Sequence, residues 1–480
     1  MPYRSCEIHR FRLRCLPLVS SGIGLVLLAF GAVAPAQNTL PADMQTKVDA
    51  IAAQVLQATN VPGASVGIVK DGQIAYLKGY GHARLNPDVA AEPGMRYSIG
   101  SISKQFTAAA ILLLQQQGKL SLDDTVSRWF PKLTDANQVT IRELLSHTSG
   151  YQDYWPEDYN MPPMLLPTTA DAIMAKWGEK PLDFPPGTQW QYSNTNFVIA
   201  GRIVEQVSGE PLMQFLQEHI FTPLHMTSVA NTDIARLGDT DAEGFYRHAL
   251  GPQRPAQKEG VGWMFAAGEL AMPVRDLMLW DISMMNRSLL APKSYDEMFQ
   301  DTKLKNGQPT HYGLGVEVDQ RDGHPIIAHS GEVSGFVSDN IVLPQDKMAV
   351  AVLTNEDASG AASMIANQIV AALLGLPENA GKKEEAQARQ IFLGLQNGTI
   401  DRSLFTDNCN AYFTKQAIDD YASSLKPLGK PLVFRQIKQE LRGGMTFHAY
   451  EAIFPGQRLV VTTYVEPDGK LEQYLVIPAE

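Results

Sequence analysis

Ser101-Ile-Ser-Lys104 puts a hydroxyl and an amine one helical turn apart on the same face. Ser101 follows Gly100 and opens a helical pattern, where free backbone N–H groups favour developing negative charge. A lysine kept neutral by burial or nearby positive charge can take the proton of such a serine. Tyr192-Ser-Asn194 opens a second helical pattern. A phenol there can relay a proton, and an amide can hold a substrate carbonyl or fix the lysine. His329-Ser330-Gly331 closes a predicted strand, and a small residue on a strand edge lets a substrate backbone lie alongside. The N–H groups of that edge, with the amide of Ser101, can form an oxyanion hole. Each segment alone also has a plain structural reading, as a helix cap with an exposed lysine, a helix start with a half-buried tyrosine, or a strand–turn junction.

Competing signals are weaker. Ser423-Ser-Leu-Lys426 repeats the Ser/Lys spacing but runs into Pro427 and reads as a solvated helix end. No H-E-x-x-H exists in the chain. Asp239, Asp241 and Glu243 lack a calcium-loop pattern and read as a solvated loop. The aromatic stretch Tyr151-Gln-Asp-Tyr-Trp155 is placed either to line a pocket or to pack as a surface loop.

The elements that must position these groups can be read from periodicity. Leu40–Asn60 carries Met44, Val48, Ile51, Val55 and Leu56 on one face of a helix. Ala64–Lys70 and Gln73–Lys78 are strands joined by Asp71-Gly72, a two-residue hairpin signal. Ser101–Gln117 is a helix stopped by Gly118, and Thr140-x-x-Glu143 is a capping box. Residues 150–190 look irregular, and the helix carrying Phe197 and Ile203 ends at Gly209. Strands return at Tyr312–Val318, Ile326–His329, Ser338–Leu343 and Met348–Thr354, before a helix at Ala361–Leu374. Strands near both ends joined by tight turns imply an antiparallel sheet covered by terminal helices, with a helical middle region.

Pro377–Glu385 reads as a linker to a small α+β domain at 386–480, with a helix through Ile391 and Leu395. Its strands are expected at Val433–Ile437, Met445–Phe454, Arg458–Val465 and Gln473–Ile477. Its order weakly resembles cystatin- or NTF2-like domains.

The chain has 480 residues, 44% apolar and 19% charged, an ordinary globular composition. Its net charge of −11 argues against a nucleic-acid binder. Arg4, Arg10, Arg12 and Arg14, an apolar run to Val33 and Ala34-Pro-Ala36 read as a signal peptide over residues 1–36, cut before Gln37. A retained anchor is the alternative. Cleavage would leave 36 basic and 50 acidic side chains and only Cys409 of the three cysteines. The protein is therefore expected in the periplasm or secreted, free of disulfides, and without a membrane span after cleavage. Cys409 reads as a small buried residue.

In this order the three segments resemble the S-x-x-K, Y-x-N and K-T-G series of penicillin-recognising serine enzymes. The tyrosine form is similar to class C β-lactamases, D,D-peptidases and their esterase relatives. Leu144–Gly150, Ala266–Leu270 with Arg275–Leu277, Tyr312–Gly315 and Gly331-x-x-x-Gly335-Phe336 match flanking stretches of that family. The resemblance implies an α+β fold over about 37–376, an antiparallel sheet flanked by helices with an inserted helical domain. It implies that Ser101 is the acylated nucleophile, Lys104 its base and Tyr192 the proton donor to the leaving group. Asn194 would orient Lys104 and the substrate, and the amides of Ser101 and Glu332 would hold the oxyanion. His329, Ser330 and Gly331 would line the substrate strand. No metal or cofactor enters the scheme. His329 departs from the usual lysine, and a mostly neutral imidazole weakens recognition of a substrate carboxylate. The expected substrate is a small molecule or peptide: an ester, a D-amino-acid peptide or a β-lactam-like amide. The alternative is a catalytically weak relative that binds cell-wall peptide or a partner. The oligomeric state is open.

Overall fold

The computed structural model describes residues 39–156, 160–248, 251–321, 323–375, 380–442, 445–466 and 468–478. The expected signal peptide lies outside them. Helix α1 (Ala42–Thr59) buries Val48, Ile51, Val55 and Leu56 and is stopped by Asn60 in the left-handed region. Strands β1 (Gly63–Lys70) and β2 (Gln73–Leu85) form the expected hairpin, with Asp71 and Gly72 both at positive φ, as a primed turn requires. A short strand β3 (Asp88–Ala90) follows. Helix α2 (Ser103–Gln116) is buried on nearly every face. Helix α3 (Asn194–Ser208) and helix α4 (Val274–Asn286) complete the inner layer.

Strands β4 (Glu317–Arg321), β5 (His324–Val333), β6 (Phe336–Leu343) and β7 (Met348–Thr354) return the chain to the sheet. The seven strands run β3-β2-β1-β7-β6-β5-β4, and every neighbouring pair is antiparallel. Helix α5 (Ala361–Leu373) packs with α1 on one face of the sheet, over Val66, Ile68, Val350 and Val352. The other face buries Val69, Val342, Ala351 and Leu353 against the inner helices and the helical middle region. A buried Ile, Leu or Val contributes about 1.5–3 kcal/mol, so the two faces together anchor the sheet from both sides.

Several boundaries differ from expectation. Residues 380–385, read as linker, begin helix α6 (Ala380–Gln396); Lys382, Lys383, Glu384, Glu385 and Ala386 are good helix formers that outweigh the polar, linker-like composition. The strand expected from Tyr312 starts only at Glu317, because Leu314 and Gly315 give their N–H groups to Met298 and Leu145 carbonyls instead of to a strand. His329-Ser330-Gly331 lies inside β5, not at its end, since β6 pairs with it as far as Val333. The helix at Ser101 opens with a 3-10 turn (Gly100–Ile102). The 150–190 region includes short helices at Pro162–Leu165 and Ala170–Ile173.

Beyond α6, helices α7 (Asp407–Tyr412) and α8 (Lys415–Leu425) start at Thr406 and Thr414, whose hydroxyls accept the N–H of Cys409 and Ala417. Strands β8 (Val433–Arg442), β9 (Met445–Phe454), β10 (Gln457–Val465) and β11 (Leu471–Pro478) form a four-stranded antiparallel sheet in that order. Phe392, Phe434, Tyr450 and Phe454 lie in the cluster it buries. Cys409 is free and buried, its thiol pushed up to about 11 chiefly by burial, which keeps it an unreactive thiol. Ser423 and Ser424 are exposed at the end of α8, each bonded to the Asp420 carbonyl, as expected of a solvated helix end. No helix among the described residues is long and apolar enough to cross a membrane.

Candidate active site

Gly100 turns the chain into Ser101 with φ of +52°, and a Cβ there would sit 2.7 Å from the Glu332 amide nitrogen. A Cβ on Gly331 would sit 2.0 Å from the Ile99 carbonyl oxygen. Both positions therefore require glycine, and together they press the Ser101 turn against β5. That apposition sets the Glu332 amide nitrogen against the Gly100–Ser101 turn.

One turn on, Lys104 is fully buried. Its Nζ stands 2.9 Å from Ser101 Oγ, 2.8 Å from Asn194 Oδ1 and 2.9 Å from the Ala267 carbonyl oxygen. It also lies 4.8 Å from the centre of the Tyr192 ring. Burial lowers its pKa to about 7, against the opposing pull of the Asp153 carboxylate.

Asn194 is the first residue of α3. Its backbone N–H donates to Asp153 Oδ1 at 2.9 Å, and its Nδ2 donates to both carboxylate oxygens at 3.2 Å. Burial raises the Asp153 carboxyl, while its hydrogen bonds and Lys104 pull it back. Just before, Ser193 N–H donates to His147 Nδ1 at 3.1 Å. The Tyr192 ring packs over the His147 imidazole at 4.3 Å. Burial raises the Tyr192 phenol well above its usual range, partly offset by a hydrogen bond with the Ser101 hydroxyl. The phenol is therefore held protonated. Burial and the charge of Lys104 push His147 down, so that ring is neutral.

His329 is buried and points into the same cluster. Its Nε2 is 2.8 Å from the Tyr312 hydroxyl, and its Nδ1 is 2.5 Å from the Ser330 carbonyl oxygen. Only the tautomer with Nδ1–H satisfies both contacts, since a carbonyl can only accept. Burial and the Lys104 charge lower its pKa to about 3. His329 is a neutral imidazole, where the departure from lysine leaves no cation.

These groups surround one cavity of about 1500 Å³. Ser101, Tyr192, Asn194, His329, Ser330, Gly331 and Glu332 line it, and Lys104 lies beneath its floor. The structure thus brings all eight expected residues together. It adds four that the sequence did not single out for a role: Asp153, His147, Tyr312 and the Ala267 carbonyl. All four belong to stretches recognisable as an aromatic loop or as flanking motifs, but nothing in their composition marks what they touch. The loop from Tyr151 splits between both readings: Tyr151 and Tyr154 pack in the core, whereas Tyr154 and Trp155 also border the cavity.

The sheet with helices on both faces and this serine–lysine–tyrosine cluster are those of the penicillin-recognising class. A family model described as Beta-lactamase matches residues 48–374, the stretch holding the sheet and all three motifs, and the chain belongs to that family, one of serine hydrolases. Protein flp of Staphylococcus aureus (strain NCTC 8325) is 30% identical over 325 residues, 65% of this chain and 63% of its own length. The chain thus spans about 63% of the length of such relatives. A D-aminopeptidase of Cereibacter sphaeroides is 30% identical over 361 residues, 71% of this chain and 65% of its own. Among solved structures, an octameric penicillin-binding protein homologue from Pyrococcus abyssi superposes with a TM-score of 0.65 at 22% identity, covering 90% of this chain and 99% of that one. A D-stereospecific amidohydrolase from Streptomyces sp. gives a TM-score of 0.60 at 27% identity, covering 68% and 99%.

Proposed function

We propose that the chain is an exported serine hydrolase that works through an acyl-enzyme on Ser101. One observation carries this reading: Lys104 Nζ is buried among three acceptors, Ser101 Oγ, Asn194 Oδ1 and the Ala267 carbonyl oxygen. A neutral amine has two N–H bonds. Asn194 and Ala267 take both, and the lone pair is left facing the Ser101 hydroxyl. With a pKa near 7, a large fraction of Lys104 is in that form at neutral pH.

The reaction follows from this geometry. Lys104 takes the Ser101 proton as Oγ bonds to the substrate carbonyl carbon. The oxyanion is held by the amides of Ser101 and Glu332. Tyr192, protonated at rest, gives its proton to the departing oxygen or nitrogen and is reprotonated from Lys104. The bond to the leaving group breaks and the acyl group stays on Oγ. Water then attacks the ester, giving its proton to the same pair, and Oγ regains a proton as the acid leaves.

The neutral His329 favours esters and amides whose recognition does not rest on a carboxylate. The names of the D-aminopeptidase and D-stereospecific amidohydrolase relatives support amide bonds at D-residues as one substrate class. Export is supported by the Arg-rich, apolar leader ending at Ala36. Labelling with a fluorophosphonate, followed by intact mass and peptide mapping, is expected to add one adduct at Ser101 and none in Ser101→Ala. Hydrolysis of p-nitrophenyl esters that persists undiminished in Ser101→Ala would overturn Ser101 as the nucleophile, and no turnover together with no labelling by any serine-reactive probe would overturn the proposal in favour of a binding role.

A further inference from the structure

The edge strand beside β5 stops short. Strand β4 pairs with it only from Arg321–His324 to Glu317–Ala328, and no described strand occupies the edge from His329 to Val333. That open length borders the cavity. An extended substrate with its carbonyl at the amides of Ser101 and Glu332 would continue the lane of β4. Its leaving portion, on the Tyr192 side, would run towards Glu317, the first residue of β4.

Four carboxylates line the cavity, Asp153, Glu317, Glu332 and Asp357, against one guanidinium, Arg247. Arg247 is neutralised by buried Glu356 at 2.8 Å. Asp153 bonds to Asn194, Glu332 accepts the Ala358 N–H at 2.7 Å, and Asp357 accepts the Gly335 N–H at 3.0 Å. Of the four, only the Glu317 side chain has no hydrogen bond or ion pair with a described residue, its backbone being paired with Ala328 in the sheet. Burial against the cleft wall, and then the like charges of Asp339 and Asp319, raise its pKa. The charge that a lysine would supply at His329 is missing. A cleft lined by one sign of charge concentrates the opposite sign.

We propose that Glu317 selects substrates whose leaving portion carries a cation, an ammonium or a guanidinium. The inference rests on the acyl-enzyme reading and names the substrate class that this site prefers. In place of the carboxylate anchor that a cationic residue at 329 would provide, the far end of the substrate lane presents an unpartnered carboxylate.

Three thioacetates with one acyl group and different leaving portions test it on the full chain. Acetylthiocholine carries a cation, S-(3,3-dimethylbutyl) thioacetate is its neutral counterpart, and S-acetyl-3-mercaptopropionate carries an anion. Thiol release gives kcat/KM for each. The cationic ester is expected to exceed the neutral one roughly tenfold, chiefly through KM, with the anionic ester lowest and the spread shrinking in high salt. Glu317→Gln should bring the cationic-to-neutral ratio close to one, Glu317→Asp should restore part of it, and Glu317→Lys should invert the order. Equal rates for the cationic and neutral esters, or a ratio unmoved by Glu317→Gln, would overturn this inference and leave the hydrolase reading standing. No Ser101-dependent turnover of any of the three would overturn both.

Discussion

Lys104 is joined to Asp153 through the Asn194 side chain, whose Oδ1 accepts from Nζ at 2.8 Å while its Nδ2 donates to the carboxylate at 3.2 Å. The amide is thereby locked with its oxygen towards the lysine. Asp153 does two things at once: it fixes the amide and, by its charge, holds the lysine's pKa up against burial. It is a positioning residue: it borders the cavity, but its carboxylate is engaged by Asn194 and acts through that amide.

The pH profile reads that second effect. Lys104 must be neutral to act as base, so kcat/KM should rise with pH along a limb near its value of about 7. Asp153→Asn removes a charge that favours the ammonium form. The lysine then loses its proton more easily, and the limb should move to lower pH by on the order of one unit. A lower plateau with an unmoved limb would mean that Asp153 only holds the Asn194 amide.

Tyr192 tests the proton relay separately from the nucleophile. Because burial keeps its phenol protonated, it is placed to donate and not to serve as a phenolate base at rest. Tyr192→Phe should lower kcat by ~10²–10⁴, the usual range for a lost general acid or base. Fluorophosphonate labelling of Ser101 should survive, since fluoride leaves without a proton. Steady-state turnover and labelling rate, measured side by side, check both halves.

The order of strands and helices was legible because hydrophobic periodicity and turn residues are local signals. Asp71-Gly72, the Thr140–Glu143 capping box and Gly118 all stand where the pattern places them. The Ser101–Lys104 spacing was legible for the same reason, one helical turn. Asp153, His147 and Tyr312 were not, because their partners lie 41, 46 and 17 residues away in sequence. Long-range pairing leaves no period to read. The helix over 380–385 was hidden by composition, since Pro377 and Gly381 mask a run of good helix formers.

Gly331 is the backbone counterpart of these side chains. A Cβ at 2.0 Å from the Ile99 carbonyl oxygen cannot be accommodated without moving β5 away from the Ser101 turn. Gly331→Ala should therefore separate the amides of Ser101 and Glu332. Loss of one oxyanion donor costs ~10²–10³ in kcat, and a comparable fall is expected here with near-unchanged far-UV circular dichroism. Activity within a factor of two of the parent would show that the two amides do not act together.

Buried carboxyls predict how stability depends on pH. Asp281 is fully buried under the sheet, its carboxyl accepting from Asn340 Nδ2 at 2.8 Å, and burial raises its pKa to about 8. The folded value stands above the unfolded one, so its contribution is complete below about pH 4 and is lost as pH rises towards 8. The slope for one such group is at most about 1.4 kcal/mol per pH unit. Glu269, raised to about 8 by burial and by Asp233, adds the same trend. Asp281→Asn should flatten the fall of Tm between pH 5 and 8, gaining on the parent as pH rises. Parallel Tm curves for the two proteins would refute the assignment.

The chain beyond Gly375 is proposed to fold on its own. The cluster it buries draws its members from Ala388 to Tyr474 alone, including Phe392, Phe434 and Tyr450. The sheet that carries Ser101 and Gly331 is closed on its outer face by α1 and α5, the latter ending at Leu373. Among the described residues neither core borrows a buried side chain from the other, so each should survive separation. A chain ending at Gly375 is expected to stay soluble, to unfold cooperatively and to keep kcat/KM for a neutral p-nitrophenyl ester within a few fold. A truncated chain that is insoluble would show that the segment after Gly375 supports the hydrolase core. A soluble but inactive one would show that it shapes the cavity.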